Sequence, residues 1–350
     1  MKKFYAVVGN PPYQSDSVGG NDSYAPQIYN VFLDAAYEVG DKVEMVHPAR
    51  FLFNAGSTPK AWNRKMLEDP HIKVLMYEAD SRTLFPSIQL PGGVAVTYRD
   101  CGVEFGAIGV YTPFEELNKI RKKVVNKIGF QSASSVAVSR TAYRLTSKLH
   151  ADHPEAASML SRGHAYDVST NIFQRLPQIF FDAEPDDGEY IKMYGRDGSG
   201  RVYKYVRREY INDVISLDKY KIVYAKADGA AGTLGNPIPA RVLGNPVIEG
   251  PGVGTTESFL TFGLFDTADE ADNGFKFVQT KFFRVLVGIL KTTQDINPEK
   301  FTYVPLQDFT SASDIDWSKP IADIDQQLYC KYDLDDDEIE FIESHVKEMS

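Results

Sequence analysis

The sequence predicts two domains of the α/β class, the first a partial doubly wound sheet and the second a mixed α/β domain. In the first third of the chain, short apolar runs typical of buried strands alternate with segments of helical spacing. Beyond about residue 110 the pattern changes to short β-prone segments and glycine-rich turns. A chain of 350 residues, 43% of them apolar, can bury two moderate cores. We therefore expect domains at residues 1–110 and 111–330, followed by an acidic C-terminal helix at 331–350.

The predicted first domain opens with an apolar strand over residues 4–9 that ends at a polar turn. A helix comes next, because apolar residues recur at helical spacing at Ile28, Val31, Phe32, Ala35, Ala36 and Val39. Further strands are predicted near residues 42–46, 73–77 and 94–98, with a helix that begins at Thr58-Pro59, where Pro59 fits the first helical position. Strands that alternate with helices in this way indicate half of a doubly wound domain.

The turn after the first strand, Asn10-Pro11-Pro12-Tyr13, is the candidate catalytic site. The Asn10 side-chain oxygen and the Pro11 carbonyl are two hydrogen-bond acceptors, held in place because the prolines restrict the backbone. Two fixed acceptors that take both N–H groups of adenine's exocyclic amine would push its nitrogen toward a tetrahedral, attacking geometry. Tyr13 offers an aromatic face to a base rotated out of a duplex. The alternative is a plain turn, since Asn and Pro favour turns on conformational grounds alone.

The segment from Gly9 to Gln14 resembles the catalytic motif of N6-adenine DNA methyltransferases, which transfer a methyl group from S-adenosylmethionine. The stretch 42–100, with His47-Pro48-Ala49-Arg50-Phe51-Leu52 and Leu90-Pro91-Gly92-Gly93-Val94, is similar to the segment C-terminal to that motif in the type IIG methylases of restriction-modification systems. The C-terminal third, with Phe301-Thr302-Tyr303-Val304-Pro305, resembles the target-recognition region of those enzymes.

This resemblance implies a Rossmann-like methyltransferase sheet joined to a target-recognition domain, and a site-specific adenine-N6 methylation of double-stranded DNA. It implies that Asn10 and Pro11 orient the adenine amine next to the cofactor, that Pro12 fixes the loop and that Tyr13 stacks on the flipped base. We add Phe85 and Tyr98 as candidates for a second stacking wall around the base.

In such enzymes the half of the sheet that holds the cofactor precedes the catalytic motif, with a glycine-rich turn and an acidic residue at the next strand end. Here only Met1-Lys2-Lys3 stand before the first strand. We therefore expect an incomplete S-adenosylmethionine site and a first strand with a bare, apolar edge. We also expect a companion polypeptide that supplies the missing strands, without which the chain is inactive or weak.

A permuted order of motifs is the alternative, with the cofactor turn placed later in the chain. Residues 247–256 superficially fit that turn, with alternate glycines at Gly250, Gly252 and Gly254. The next residues, 258–265, are β-prone rather than helical, which argues against a cofactor turn. A second glycine-rich stretch, 195–200, precedes alternating apolar and aromatic residues and is typical of a hairpin loop.

The net charge of −10 is unusual for a protein that contacts DNA, but the acids are concentrated beyond Ser313, where twelve stand against three lysines. Between Asn118 and His150 there is no Asp or Glu at all. The basic residues of this stretch are Lys119, Arg121, Lys122, Lys123, Lys127, Arg140, Arg144 and Lys148. We interpret them as contacts to DNA phosphates, which carry most of the salt-dependent affinity. A solvated helix face is the ordinary alternative for such a run.

The cysteine content and the lengths of the apolar runs bear on metal binding, membrane insertion and cellular location. Cys101 and Cys330 form neither a disulfide framework nor a zinc spacing, and we expect no metal site. The longest apolar run, 285–290, lies within a predicted helix at about 270–291 and is too short to span a bilayer. No signal peptide is visible, so we expect a cytoplasmic protein without a membrane partner. A last helix is predicted at 335–349.

Two functions from other classes stay open. One is a non-catalytic DNA-specificity subunit, in which the tetrapeptide has no chemical role. The other is an anti-restriction protein whose acidic C-terminal region mimics DNA.

Overall fold

The computed structural model describes residues 4–15, 26–54, 56–87, 89–90, 92–227, 234–235, 237–291 and 294–349. In these residues the protein is of the mixed α/β class, with three β-sheets. The chain divides into two compact units, Met1–Phe114 and Glu115–Ser350. This division falls four residues beyond the predicted end of the first domain, and the acidic C-terminal helix belongs to the second unit.

The first unit is a four-stranded mixed sheet with two α-helices in its described part. Its elements are β1 (Phe4–Gly9), α1 (Tyr29–Val39), β2 (Gly40–Pro48), α2 (Lys60–Glu68), β3 (Ile72–Glu78) and β4 (Val94–Asp100). The strand order is β1-β2-β4-β3, in which β1 and β2 are parallel and β4 is antiparallel to both of its neighbours. The four predicted strands and the two predicted helices are confirmed, and α1 is the crossover of a parallel βαβ unit.

The core of the first unit is formed by the two helices and the central strand β2. Tyr29, Leu33 and Trp62 from the helices are buried together with Val43 and Met45 of β2. Val7 is the residue of β1 that packs against this core. Strand β2 thus ties the edge strand β1 to the rest of the unit.

Helix α1 buries a different face from the one that its apolar spacing predicts. The buried residues are Tyr29, Leu33 and Ala36. Val31 and Phe32 are 60% and 44% exposed. The helix is apolar on more than one side, and the side that carries Tyr29 and Leu33 packs against β2 and α2. The prediction of a helix is confirmed, whereas the predicted buried stripe is wrong at Val31 and Phe32.

Strand β1 lies at an edge of its sheet, with β2 as its neighbour in the described residues. Phe4, Tyr5 and Val8 are 56%, 73% and 76% exposed. A strand of this composition is usually buried on both faces when it pairs in parallel. Among the described residues, β1 therefore has apolar side chains exposed and pairs with β2 on one side.

The second unit carries two sheets and most of the helices. Its elements are α3 (Glu115–Asn126), β5 (Ala137–Val138), α4 (Ser147–Asp152), α5 (Ala156–Met159), α6 (Ile172–Arg175), β6 (Tyr190–Asp197), β7 (Gly200–Arg207), β8 (Tyr220–Ala225), β9 (Val247–Glu249), β10 (Val253–Thr255), β11 (Phe259–Phe265), α7 (Ala268–Gln279), α8 (Lys281–Gly288), α9 (Ile321–Lys331) and α10 (Asp336–His345). One sheet has the order β10-β6-β7 and the other the order β5-β11-β8-β9.

The single helix predicted at about 270–291 is two helices, α7 and α8. Thr280 separates them, because its backbone is extended and its hydroxyl accepts a hydrogen bond from the Phe283 N–H at 3.1 Å. The apolar stripe of α8 is buried as expected, with Phe282 and Phe283 fully inside. Helix α10 begins one residue later than predicted, with Asp335 as its N-cap in a capping box with Glu338.

Both glycine-rich stretches of the second unit form β-structure. Residues 247–256 contain the strands β9 and β10, and β11 comes next. No helix opens there, so the geometry of a cofactor turn is missing from this stretch. The stretch 195–200 is the turn of the β6–β7 hairpin, with Gly198 at φ +58°. Among the described residues, no helix is both long enough and apolar enough to cross a membrane.

Candidate active site

The tetrapeptide lies at the carboxyl end of β1, directly after Gly9, which pairs with Met45 of the parallel strand β2. The carboxyl ends of parallel strands are the usual place for ligand sites in α/β sheets. Beyond the tetrapeptide the chain folds back: Gln14 forms an antiparallel bridge with Gln27, and the Ile28 N–H donates to the Tyr13 carbonyl at 3.1 Å. The corner is therefore held by β1 on one side and by the start of α1 on the other.

The two predicted acceptors remain accessible at this corner. Asn10 is exposed and Pro11 is half-buried. Within the part of the chain that the structure describes, no backbone N–H donates to the Pro11 carbonyl. The Asn10 amide lies beside the Tyr13 hydroxyl. Asn10 is thus an exposed residue beside Tyr13, and the Pro11 carbonyl accepts no hydrogen bond from a described backbone N–H.

Tyr13 has a second role that the sequence does not predict. Its ring is half-buried and packs against the core of the first unit. Its hydroxyl is buried, and no described residue gives it a hydrogen bond of normal geometry. Burial raises the pKa of Tyr13 above its usual value of 10, and the neighbouring Asn10 side chain acts in the opposite direction. Tyr13 therefore stays neutral and anchors the corner, and the remaining open part of its ring faces solvent.

His47, at the end of β2, is a structural residue. It is fully buried; its Nε2 lies 2.8 Å from the Thr97 hydroxyl and its Nδ1 lies 3.1 Å from the Pro48 carbonyl. The ring stacks on Tyr29 at a centroid distance of 5.8 Å. Burial lowers the pKa of His47 to about 4, so the imidazole is neutral near pH 7. It supports the strand ends and offers no acid or base.

The structure does not bring Phe85 and Tyr98 to the tetrapeptide. Tyr98 lies in β4, where it pairs with Glu44 of β2, and its hydroxyl donates to Asp100 at 3.1 Å. Its ring is 6.0 Å from that of Phe105. Phe85 comes after β3, at the opposite edge of the sheet from β1. Three strand spacings of about 4.8 Å separate these two edges. A second stacking wall at these positions is not formed in the first unit.

Most of the basic residues predicted to contact DNA are paired with acids in the second unit. The pairs are Lys119 with Glu115, Lys123 with Asp335 and Glu338, Lys127 with Asp333, Arg144 with Asp167, and Lys148 with Asp152, all at 2.6–3.1 Å. The Arg121 guanidinium lies over the Tyr303 ring at 5.4 Å. Lys122 and Arg140 are in no ion pair with a described residue. The acid-free stretch of sequence is thus largely neutralised by acids from elsewhere in the chain.

The acidic C-terminal segment provides several of those acids. Glu338 is fully buried in α10 and its Oε2 accepts from the Lys123 Nζ at 2.6 Å. Lys331 pairs with Asp314 at 2.7 Å, and Lys281 pairs with Glu343 at 2.6 Å. Among these paired carboxylates only Glu338 is buried, whereas the side chains of Asp314, Asp333 and Asp335 remain 57–78% exposed.

Comparison with known proteins relates the start of the chain to methylases. Residues 1–85 match the family model of the Eco57I restriction-modification methylase. A stretch of 96 residues is 30% identical to an uncharacterized adenine-specific methylase of Mycoplasma pneumoniae (strain ATCC 29342 / M129 / Subtype 1), covering 27% of this chain and 23% of that protein. The chain thus matches less than a quarter of the length of this relative.

Among solved structures, the type IIG restriction endonuclease BpuSI aligns with 97% of this chain and 52% of its own, at 10% sequence identity and a TM-score of 0.35.

Proposed function

We propose that this chain is the catalytic-motif and target-recognition part of a DNA methyltransferase of a restriction-modification system that methylates adenine at N6. The observation that supports the proposal is the corner at the carboxyl end of β1, where Asn10 is exposed and the Pro11 carbonyl accepts no hydrogen bond from a described backbone N–H. The match of residues 1–85 to a restriction-modification methylase family supports it, since this stretch contains the corner.

In the proposed reaction the chain's own residues hold the nucleophile. Asn10 and Pro11 accept the two N–H groups of the adenine amine, which localises the lone pair on nitrogen. Bound S-adenosylmethionine supplies a methyl group on a sulfonium leaving group. Methyl transfer from it would release S-adenosylhomocysteine as the leaving group, and the methylated amine, still held by Asn10 and Pro11, would lose its surplus proton to water. The open part of the Tyr13 ring stacks on the flipped base, which contributes about 1–3 kcal/mol.

The cofactor would be held only in part by the described residues. In this proposal Asn10 and Pro11 hold the amine next to the methyl donor, whereas residues 247–256 form strands rather than a glycine turn that opens a helix. We propose that a companion polypeptide provides the remaining cofactor contacts and pairs with the free edge of β1. The exposed side chains of Phe4, Tyr5 and Val8 supply the apolar surface for that pairing.

The test replaces Asn10 in the native gene and measures N6-methyladenine in genomic DNA by mass spectrometry of the digested nucleosides. Asn10→Ala removes one of the two acceptors, and we expect modification to fall by roughly 100-fold or more, as for other groups that act only in a transition state. The matched control is Asn126→Ala, an exposed asparagine of the second unit, which should leave modification unchanged. Unchanged modification in Asn10→Ala would favour the specificity-subunit alternative and end the enzyme assignment.

The companion is tested separately with the purified chain. We expect no saturable binding of S-adenosylmethionine by calorimetry and no methyl transfer to adenine-containing duplex. Robust turnover by this polypeptide alone would disprove the need for a companion, although not the role of Asn10.

A further inference from the structure

One face of the β6–β7 hairpin consists of alternating basic residues and tyrosines. Because side chains alternate along a strand, the residues of this face are Tyr190, Lys192, Tyr194 and Arg196 on β6, and Arg201, Tyr203, Tyr205 and Arg207 on β7. The opposite face carries Ile191, Met193 and Val206, which are buried in the core of the second unit. The apolar face therefore fixes the hairpin, and the basic face is turned away from that core.

Arg196 and Arg201 stand directly opposite each other in this ladder. Like charges in such a pair destabilise a sheet unless something neutralises them. Both residues are exposed, and neither forms an ion pair with a described carboxylate. The acid next to Arg196 is Asp197, which accepts a hydrogen bond from the Gln174 side chain at 2.6 Å. The charge of the arginine pair is thus left uncompensated within the described part of the unit.

A cavity of about 350 Å³ lies beside the arginine pair. Its lining contains three cations, Arg196, Arg201 and Lys226, and no carboxylate among the described residues. Ser258 also lines it, is only 6% exposed, and has no described hydrogen-bond partner for its hydroxyl. The Ser258 hydroxyl is a potential hydrogen-bond donor in the cavity wall, and burying it without a partner costs about 1–3 kcal/mol. Cations together with such a donor are the chemistry that binds an oxyanion of the phosphate class.

Rigid aromatic rings continue this surface along the hairpin. Tyr203 is 43% exposed, and its ring lies 4.9 Å from Tyr194, which in turn lies 4.5 Å from Phe259. The Arg201 guanidinium is 5.8 Å from the Phe259 ring. The stack holds Tyr203 in place beside the cations. Basic residues interleaved with ordered aromatics are typical of surfaces that bind a nucleic-acid backbone.

We propose that the basic face of the hairpin, with the adjoining cavity, is where the second unit contacts the DNA backbone. This rests on the proposed function, which makes DNA the substrate. Arg196, Arg201 and Lys226 bind phosphate oxygens, and Tyr203 packs against a sugar or base. A polyanion fits better than a single small anion because the cations continue along β6 to Lys192, roughly 13 Å away at about 3.3 Å per residue.

The experiment measures binding of a fluorescent duplex to the full chain by anisotropy, without cofactor, over a series of salt concentrations. The test variant is R196Q/R201Q and the matched control is R162Q/K347Q, which removes two exposed positive charges of the second unit that lie outside both sets of predicted DNA contacts. We expect the test variant to raise Kd about tenfold or more and to lower the salt slope by about two, one per lost phosphate contact. The control should change neither quantity, and R196K/R201K should restore most of the affinity. Unfolding midpoints check that the variants are folded.

Each result of the binding experiment either supports or overturns the proposed DNA contact. An equal or larger effect of the control pair overturns the proposal, as does a wild-type chain that binds no duplex at low salt. A parallel titration with inorganic phosphate distinguishes the source of the anion: loss of phosphate binding in R196Q/R201Q with intact duplex binding would mean that the site takes a free anion and not DNA. If the arginine pair controls duplex binding while Asn10→Ala leaves modification unchanged, this inference stands and the proposed catalysis fails.

Discussion

At the residue scale, Tyr13 combines a ring that packs on the core with a buried hydroxyl that lies beside Asn10 without a hydrogen bond of normal geometry. Tyr13→Phe removes only the hydroxyl, so we expect the free energy of unfolding to rise by about 1 kcal/mol. Because the ring is kept, modification in cells should stay within a few-fold of wild type. Tyr13→Ala should lose both stability and modification. Denaturant titration together with nucleoside mass spectrometry checks this, and a large loss of modification in Tyr13→Phe would show that the hydroxyl acts in the reaction.

His47 makes stability depend on pH. Its pKa is lowered from 6.5 to about 4 in the folded chain, so the unfolded state binds more protons between these values. Stability is therefore fully present above pH 6.5 and is lost as the pH falls toward 4, by up to about 3 kcal/mol at about 1.4 kcal/mol per pKa unit. Urea titrations at pH 7 and pH 4.5 should show a smaller pH difference for His47→Gln than for wild type. Identical pH dependence in the two proteins would contradict a buried, neutral His47.

The corner that holds Tyr13 could be predicted as a turn because its chemistry is local. Asn, Pro and an aromatic ring after an apolar strand determine a turn and its acceptors without help from distant residues. The direction in which the Tyr13 ring packs could not be predicted, because it depends on core residues from other elements. The same holds for Phe85 and Tyr98, whose neighbours are set by strand order rather than by sequence spacing.

At the scale of elements, the sequence determines that a segment is helical better than it determines which face is buried. The apolar spacing of α1 is correct for a helix, yet Val31 and Phe32 stay exposed because no described element covers that side. Thr280 divides the predicted single helix for a local reason. Its hydroxyl accepts a hydrogen bond from the Phe283 N–H and so caps a new helix, which competes with continuation of the preceding one. Two lysines that the sequence predicts to contact DNA, Lys123 in α3 and Lys127 just after it, pair with acids in the first turn of α10 and just before it.

The contact between α3 and α10 gives a prediction about stability. Removing Lys123 leaves the carboxylate of Glu338 buried without its cation, so we expect Lys123→Met to destabilise the second unit by about 2 kcal/mol or more. Lys122→Met, on the exposed side of the same helix, should be nearly neutral. The double variant Lys123→Met with Glu338→Gln should recover part of the loss. Denaturant midpoints measure the cycle, and additive losses would argue against a coupled pair.

At the scale of the whole molecule, the first unit leaves an apolar surface open on β1 and α1. Val8 and Phe32 are 76% and 44% exposed, which is unusual for residues of a parallel βαβ unit. Strand β1 has apolar residues on both faces, which is the composition of a central strand. Its exposed apolar edge could be predicted because such a strand leaves apolar side chains uncovered when it lies at the edge of a sheet. The open side of α1 could not be predicted, because it depends on which elements pack there.

This surface is the basis of a prediction about assembly. Val8→Lys and Phe32→Ser should change the unfolding free energy of the purified chain by less than about 0.5 kcal/mol, because neither side chain is buried in it. Both should strongly reduce N6-methyladenine in cells and the co-purification of a companion. Ile215→Ser is the control, as it removes an apolar side chain of similar exposure, 68%, from the second unit. Full modification in the Val8→Lys strain would show that no partner covers β1.

The pairing of α3 with α10 also has a consequence for synthesis. Lys123 and Glu338 lie 215 positions apart, so the first helix of the second unit meets its counter-charges only when nearly all of that unit has been translated. If translation stops before α10 is made, the lysines in and just after α3 lack their carboxylate partners, and α3 is less firmly packed. We therefore expect the second unit to fold late in synthesis and in one cooperative step. Fragments that end before residue 336 should be degraded by cellular proteases.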